Sequence, residues 1–274
     1  MNRTPSKNQI ISFLNDYNMT PIRRLGQNFL IDEKIAKLIV DSLHLSKYTK
    51  ICEIGPGFGA LTAHLQQFDS KLTLIEIDAK MCSFLNDHFG KDENIKILHE
   101  DALRCDFSDY DIIVSNLPYY ITTALIEKVY RQGDKLSQAL FMIQKDVYGR
   151  LAAKIGEEGY GPLAIMLGYL TDISSLLAVK PSSFYPEPPV DSSVINLKFK
   201  QEINRRFAMN LDNLVRALFR NRRKTIANNL TAYMHNREKA IKLLQDIDIP
   251  LSMRPEQISI DQYVTLLNYL QNDK

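Results

Sequence analysis

A chain of 274 residues, 45% hydrophobic and 24% charged, can bury the core of one sizeable α/β domain carrying a smaller appendage, and with 11 Gly, 11 Pro and no low-complexity tract it is neither disordered nor collagenous. Three cysteines, Cys52, Cys82 and Cys105, are odd in number and far apart, which excludes a disulfide scaffold and gives no paired spacing for zinc; no metal is expected. The net charge of +2 conceals a regional split: Lys198–Gln245 holds 12 Lys and Arg against 3 Asp and Glu, or +9, while the rest of the chain carries 22 against 29, or −7. A polyanion is expected to meet the basic segment, because phosphates neutralised by Lys and Arg release their counterions.

No apolar run approaches the roughly 18 residues of a membrane span, and the N-terminal MNRTPSKNQIISFLNDY has no apolar signal core, so a cytoplasmic protein with no membrane partner is expected. In chain order, Lys50–Ile54 reads as a strand that stops at Gly55-Pro56-Gly57-Phe58-Gly59, and Ala60–Gln67 as the helix after it. Lys71–Ile77 is a second strand ending in Glu76-Ile77-Asp78, with a helix over Ala79–Phe89. Ile95–Leu98, Asp111–Ser115 and Ala139–Ile143 continue the strands. Ile173–Val179 and Ser193–Phe199 are placed to pair as an antiparallel edge around an ordered Pro181–Pro189 loop. Strands alternating with helices predict βαβ units and a mostly parallel, Rossmann-like sheet with one antiparallel edge strand. Beyond Phe199 the spacing turns helical: Leu211, Leu214, Val215, Leu218, Phe219 and Ile226 share one face, and Arg216, Arg220, Arg223 and Lys224 another. A boundary near residue 203 divides a 1–203 domain from a small helical 204–274 domain.

The glycines of Gly55–Gly59 follow G-x-G-x-G rather than the dinucleotide spacing G-x-G-x-x-G. Such a loop lets a ligand approach the backbone, and Glu76, ending the second strand, can accept hydrogen bonds from a ribose diol. Both features suit NAD and S-adenosylmethionine. Glu53 separates them: beside the loop it repels a pyrophosphate but tolerates the sulfonium and ammonium groups of S-adenosylmethionine, which disfavours a dehydrogenase. Asp101, ending the third strand, is placed to accept from an adenine amino group.

Asn116-Leu117-Pro118-Tyr119 follows the fourth strand and joins an amide, a proline-fixed carbonyl and an aromatic ring. The exocyclic amine of a nucleobase is a poor nucleophile, since its lone pair is delocalised into the ring. Acceptors for both its N–H groups, the Asn116 side-chain oxygen and the Pro118 carbonyl, would favour the developing positive charge and aim the lone pair along the methyl–sulfur axis. Tyr119 would stack on the base. No strong base is needed, and His44, His64, His88, His99 and His235 show no pairing with a Ser or Cys.

These segments, together with Leu25–Leu30, Glu100–Leu103, Phe184–Ser192 and Phe219–Leu230, resemble the rRNA adenine N6-dimethyltransferases, most closely the bacterial small-subunit type, over roughly residues 20–230. The resemblance implies a class I S-adenosylmethionine-dependent methyltransferase sheet with a C-terminal helical rRNA-binding domain, dimethylating two adjacent adenosines near the 3′ end of small-subunit (16S) rRNA. It implies that Asn28, the Leu30 backbone and the Gly55–Gly57 loop border the methionine end of the donor, with Glu76 on the ribose, Asp101 on the adenine amine and Asn116 on both donor and target. Phe184 would cover the face of the target base opposite Tyr119. Arg216, Arg220, Arg222, Arg223 and Lys224 would grip the rRNA backbone, within a small ribosomal subunit or its precursor, with the enzyme a monomer. Tyr120 departs from the family's usual Asn, and Gly168 lies in a stretch where Gln is common. The rivals are a macrolide-resistance methyltransferase acting on large-subunit rRNA and a non-catalytic ribosome-assembly or transcription factor on the same fold. The Arg222-Arg223-Lys224 run argues against the first and the intact site residues against the second.

Overall fold

A computed structural model of the protein describes residues 1–21 and 26–272. The chain forms two compact units, one of Met1–Tyr148 with Ile173–Phe199, the other of Gly149–Asp172 with Lys200–Lys274. The first begins with α1 (Lys7–Asp16), β1 (Phe29–Leu30), α2 (Glu33–Asp41), β2 (Lys50–Ile54), α3 (Thr62–Leu65) and β3 (Lys71–Glu76). It continues with α4 (Ala79–Phe89), β4 (Ile95–His99), β5 (Ile112–Asn116), α5 (Thr122–Gln132) and β6 (Gln138–Gln144). The chain leaves through α6 (Lys145–Leu151), forms α7 (Pro162–Leu170), returns along β7 (Thr171–Val179) and completes the unit with β8 (Phe184–Tyr185) and β9 (Ser192–Phe199). The second unit ends with α8 (Arg205–Phe219), α9 (Ile226–Met234), α10 (Arg237–Asp246) and α11 (Ile260–Asn272).

Seven strands form one sheet in the order β4-β3-β2-β5-β6-β9-β7. The pairs β3–β4, β2–β3, β2–β5 and β5–β6 are parallel, β9 runs antiparallel to β6, and β7 takes the outermost place. Each strand lies within two residues of its expected ends, because uninterrupted apolar runs such as Ile112–Val114, at 0% exposure, are what a sheet covered on both faces requires. From β2 the chain builds outward through β3 and β4, then restarts at β5 and builds the other way. Order therefore reverses between β2 and β5, which places a crevice beyond their carboxyl ends.

Three features were not expected from the sequence. The helix after the glycine loop has regular α geometry only over Thr62–Leu65, its N-cap Leu61 offering no side-chain acceptor. Residues 29–30 and 184–185 pair as a second, two-stranded antiparallel sheet, Leu30 opposite Phe184. The helical unit also takes in Gly149–Asp172, beyond the 204–274 segment. The cause lies in α7: Ala164, Ile165, Met166, Leu167 and Leu170 are all buried, a distribution too wide for a one-sided surface helix. Within that unit the Tyr160 hydroxyl donates to the Ile258 carbonyl at 2.9 Å, and the Tyr263 hydroxyl to that of Pro255 at 2.8 Å. Among the described residues no helix is long and apolar enough to cross a membrane.

Candidate active site

A cavity of about 290 Å³ opens beyond the carboxyl ends of β2, β3, β4 and β5. Asn28, Leu30, Gly55, Gly57, Glu76, Asp101 and Asn116 all line it, so every residue expected to meet the donor is gathered at one place. Leu25, the first residue of the Leu25–Leu30 motif, lies outside the described residues. Gly55 has φ +63° and a Cβ built on it would meet nothing within 4 Å, so its backbone faces open space. Gly57, at φ +54°, backs onto Phe29, whose ring would stand 3.0 Å from an added Cβ. Both positions demand glycine, the first for backbone conformation alone and the second also for close packing.

Four carboxylates, Glu53, Glu76, Glu100 and Asp101, line this cavity, and among the described residues no Lys, Arg or His does. Glu53 is 2% exposed and accepts a hydrogen bond from Thr62 Oγ1 at 2.6 Å. Burial pushes its carboxyl up to about 7, against the pull of the Thr62 hydrogen bonds and with help from the nearby Glu76 charge. Glu76 Oε1 accepts from the backbone N–H of Ile77 at 2.8 Å and of Asp78 at 3.0 Å, and burial again raises the carboxyl above its ordinary range. The backbone thus holds an acceptor at a fixed point of the wall. Asp101 Oδ1 accepts from the Leu103 N–H at 2.9 Å, so this aspartate both closes a turn and lines the cavity. Ile77 and Leu103, 50% and 36% exposed, supply apolar walls that the sequence motifs do not mark. Their signal was present: each adjoins or closely follows an acidic strand end.

Asn116 ends β5, and its Nδ2 donates to the Asn28 carbonyl at 2.9 Å. Because that N–H is committed, the side-chain oxygen is the group left to accept. Pro118 lines the cavity, but its carbonyl corrects the expectation placed on it: it already accepts from the Ile121 N–H at 3.2 Å and from Thr122 Oγ1 at 3.1 Å. Both lone pairs of that oxygen go to the turn that starts α5. Tyr119 is half-buried with its hydroxyl 3.3 Å from Ser192 Oγ and does not line the cavity, whereas Tyr120, 55% exposed, does. Phe184, expected to cover a base, is 2% exposed and belongs to the hydrophobic core; its pairing with Leu30 in the two-stranded sheet carries the ring inward. Even so, Phe184 opens and Ser192 closes the same Phe184–Ser192 segment, which ties that segment to Tyr119 at one end and to β1 at the other.

In the helical unit α8 stops at Phe219, so Arg220, Arg222, Arg223 and Lys224 occupy the turn before α9 rather than one helical face. Thr225 caps α9 by accepting from the Asn228 N–H, and the Asn229 side chain donates to the carbonyls of Asn221, Lys224 and Thr225. Only Arg216 of the five basic residues lies on a helix, its Nε donating at 2.8 Å to Asp212 Oδ1. Among the described residues no group of three or more His, Cys, Asp and Glu is arranged to hold a metal ion.

A doubly wound sheet with an acidic, glycine-walled cavity at its switch point suits a cationic nucleoside and opposes a pyrophosphate; together they define a class I S-adenosylmethionine-dependent methyltransferase. The sequence model of the family described as ribosomal RNA adenine dimethylase matches residues 20–272, and the chain belongs to that family. It is an rRNA adenine dimethyltransferase that takes its methyl groups from S-adenosylmethionine. Among similar proteins are the ribosomal RNA small subunit methyltransferases A of Mycoplasma capricolum, 39% identical over 263 residues, and of Geobacillus sp., 38% identical over 285 residues. The alignments cover 90% of this chain and 97% of the first relative, and 98% and 97% for the second. A dimethyladenosine transferase from Plasmodium falciparum shares the fold with a TM-score of 0.76 at 24% identity, over 89% of this chain and 97% of that one.

Proposed function

We propose that this enzyme methylates N6 of two adjacent adenosines near the 3′ end of small-subunit rRNA, twice each, and acts as a monomer in the cytoplasm on the small ribosomal subunit or its precursor. The observation that carries the chemistry is the hydrogen bond from Asn116 Nδ2 to the Asn28 carbonyl, which turns Asn116 Oδ1 into the acceptor at the end of β5. S-adenosylmethionine, when bound, supplies an electrophilic methyl group. Glu76 would hold its ribose, Asp101 its adenine amine, and Asn28, the Leu30 backbone and the Gly55–Gly57 loop its methionine end.

The target adenosine leaves its stack to reach the cavity. Asn116 Oδ1 accepts one N–H of its amine. This pairing steers the nitrogen lone pair and favours the positive charge that grows on it. Tyr119 stacks on the base, and Phe184 backs the site from the core through its pairing with Leu30. The methylated ammonium is acidic enough to lose its proton to a carbonyl or to water.

The helical unit grips the rRNA backbone through Arg216, Arg220, Arg222, Arg223 and Lys224. Supplying labelled donor to unmodified small subunits, large subunits and naked rRNA tests the assignment: label is expected in small-subunit rRNA, and label confined to large-subunit rRNA would remove it. Reversing charge at Arg222 and Arg223 together is expected to weaken rRNA binding and flatten its dependence on salt. An unchanged salt slope would return the segment to an ordinary solvated surface.

A further inference from the structure

The helical unit holds a second cavity, of about 420 Å³, lined by Pro162, Arg216, Phe219, Arg220 and Arg222. Three arginines thus border one space whose apolar side is Pro162 and Phe219. Asp212 balances the charge of Arg216, and the two positive charges of Arg220 and Arg222 suit the space to an anion. Two largely buried polar side chains hold it in shape. Asp212, 1% exposed, receives the Arg216 Nε–H at 2.8 Å and fixes the helical arginine. Asn229, 4% exposed, donates from Nδ2 to the carbonyls of Asn221 at 3.1 Å, Lys224 at 3.3 Å and Thr225 at 3.2 Å, and so fixes the turn that carries Arg220 and Arg222. The Arg222 guanidinium lies 5.9 Å from the centre of the Phe219 ring, which limits its swing. Arg223 and Lys224 share the turn but do not line the cavity.

We propose that Arg216, Arg220 and Arg222 form one preformed notch that takes a single phosphodiester of the RNA, with Asp212 and Asn229 as its positioning residues. The proposal rests on the assignment of the basic segment to rRNA. A planar guanidinium offers paired N–H donors matched to phosphate oxygens, and holding Arg216 and Arg222 beforehand reduces the ordering cost of binding. Arg223 and Lys224 would then meet other phosphates.

The test compares slopes of log affinity against log salt for naked, unmodified small-subunit rRNA. Each neutralised phosphate contributes about one to that slope. Removing the three arginines that share a phosphate, as Arg216→Gln with Arg220→Gln and Arg222→Gln, is expected to lower it by about one, and Arg223→Gln alone by about one more. A loss of about two or three from that triple variant would assign separate phosphates and overturn the notch. No change from the triple variant, with a loss from Arg223→Gln, would overturn the notch but keep rRNA on the segment; no change from either variant would overturn both. Asn229→Ala leaves every arginine in place and is expected to raise KM for rRNA several-fold while kcat holds, and Asp212→Asn serves the same comparison if that variant does not fold. A fall in kcat with KM unchanged would assign both residues to scaffolding instead.

Discussion

Asn116→Ala is expected to lower the rate of methyl transfer by at least about 10² to 10³, the range found when a single fixed hydrogen-bonding group is taken from a developing charge. The variant loses the acceptor for the target amine and also the bond from Nδ2 to the Asn28 carbonyl. That second loss is small, about 1 kcal/mol, so folding and rRNA affinity are expected to stay close to those of the parent. Single-turnover transfer with pre-bound rRNA, together with urea unfolding and an rRNA binding curve, separates the two effects. Near-normal turnover would refute the role given to this amide.

Glu53→Gln is expected to stabilise the free protein at pH 8 and to do little at pH 4. In the folded chain the Glu53 carboxyl keeps its proton up to about pH 7, whereas an ordinary glutamate releases it near 4.5. Between those values the folded state binds more protons than the unfolded state, so rising pH removes stability across that window. The full gap amounts to about 3 kcal/mol for this completely buried group. A glutamine keeps an acceptor for Thr62 Oγ1 and carries no charge to bury. Glu76, whose carboxyl is also raised, leaves the variant with part of the same downward trend. Urea unfolding at the two pH values reads the result; an equal change at both, or a loss at pH 8, would show that Glu53 is not held above its ordinary range. The destabilisation has a use in the proposed function, since a cationic donor bound beside Glu53 would favour its ionised form.

The sequence by itself determined the strands, the glycine loop and the chemistry waiting at the strand ends. Those signals are local: an apolar run fixes a buried strand, and Glu76, Asp101 and Asn116 lie at or just beyond the ends of β3, β4 and β5, so a parallel sheet brings them to one edge. The tertiary structure decided what depends on residues distant along the chain. Pairing of Leu30 with Phe184 put an expected base-stacking ring into the core, and the turn after Pro118 used the carbonyl that the motif alone had offered to substrate. The apolar α7 joined the helical unit from outside the 204–274 segment, and Asn229 gathered a basic stretch into a turn where helical spacing had placed it on one face. Backbone preference and periodicity are properties of neighbouring residues. Which distant side chains share a hydrogen bond or a core is settled only when packing closes the loops between them.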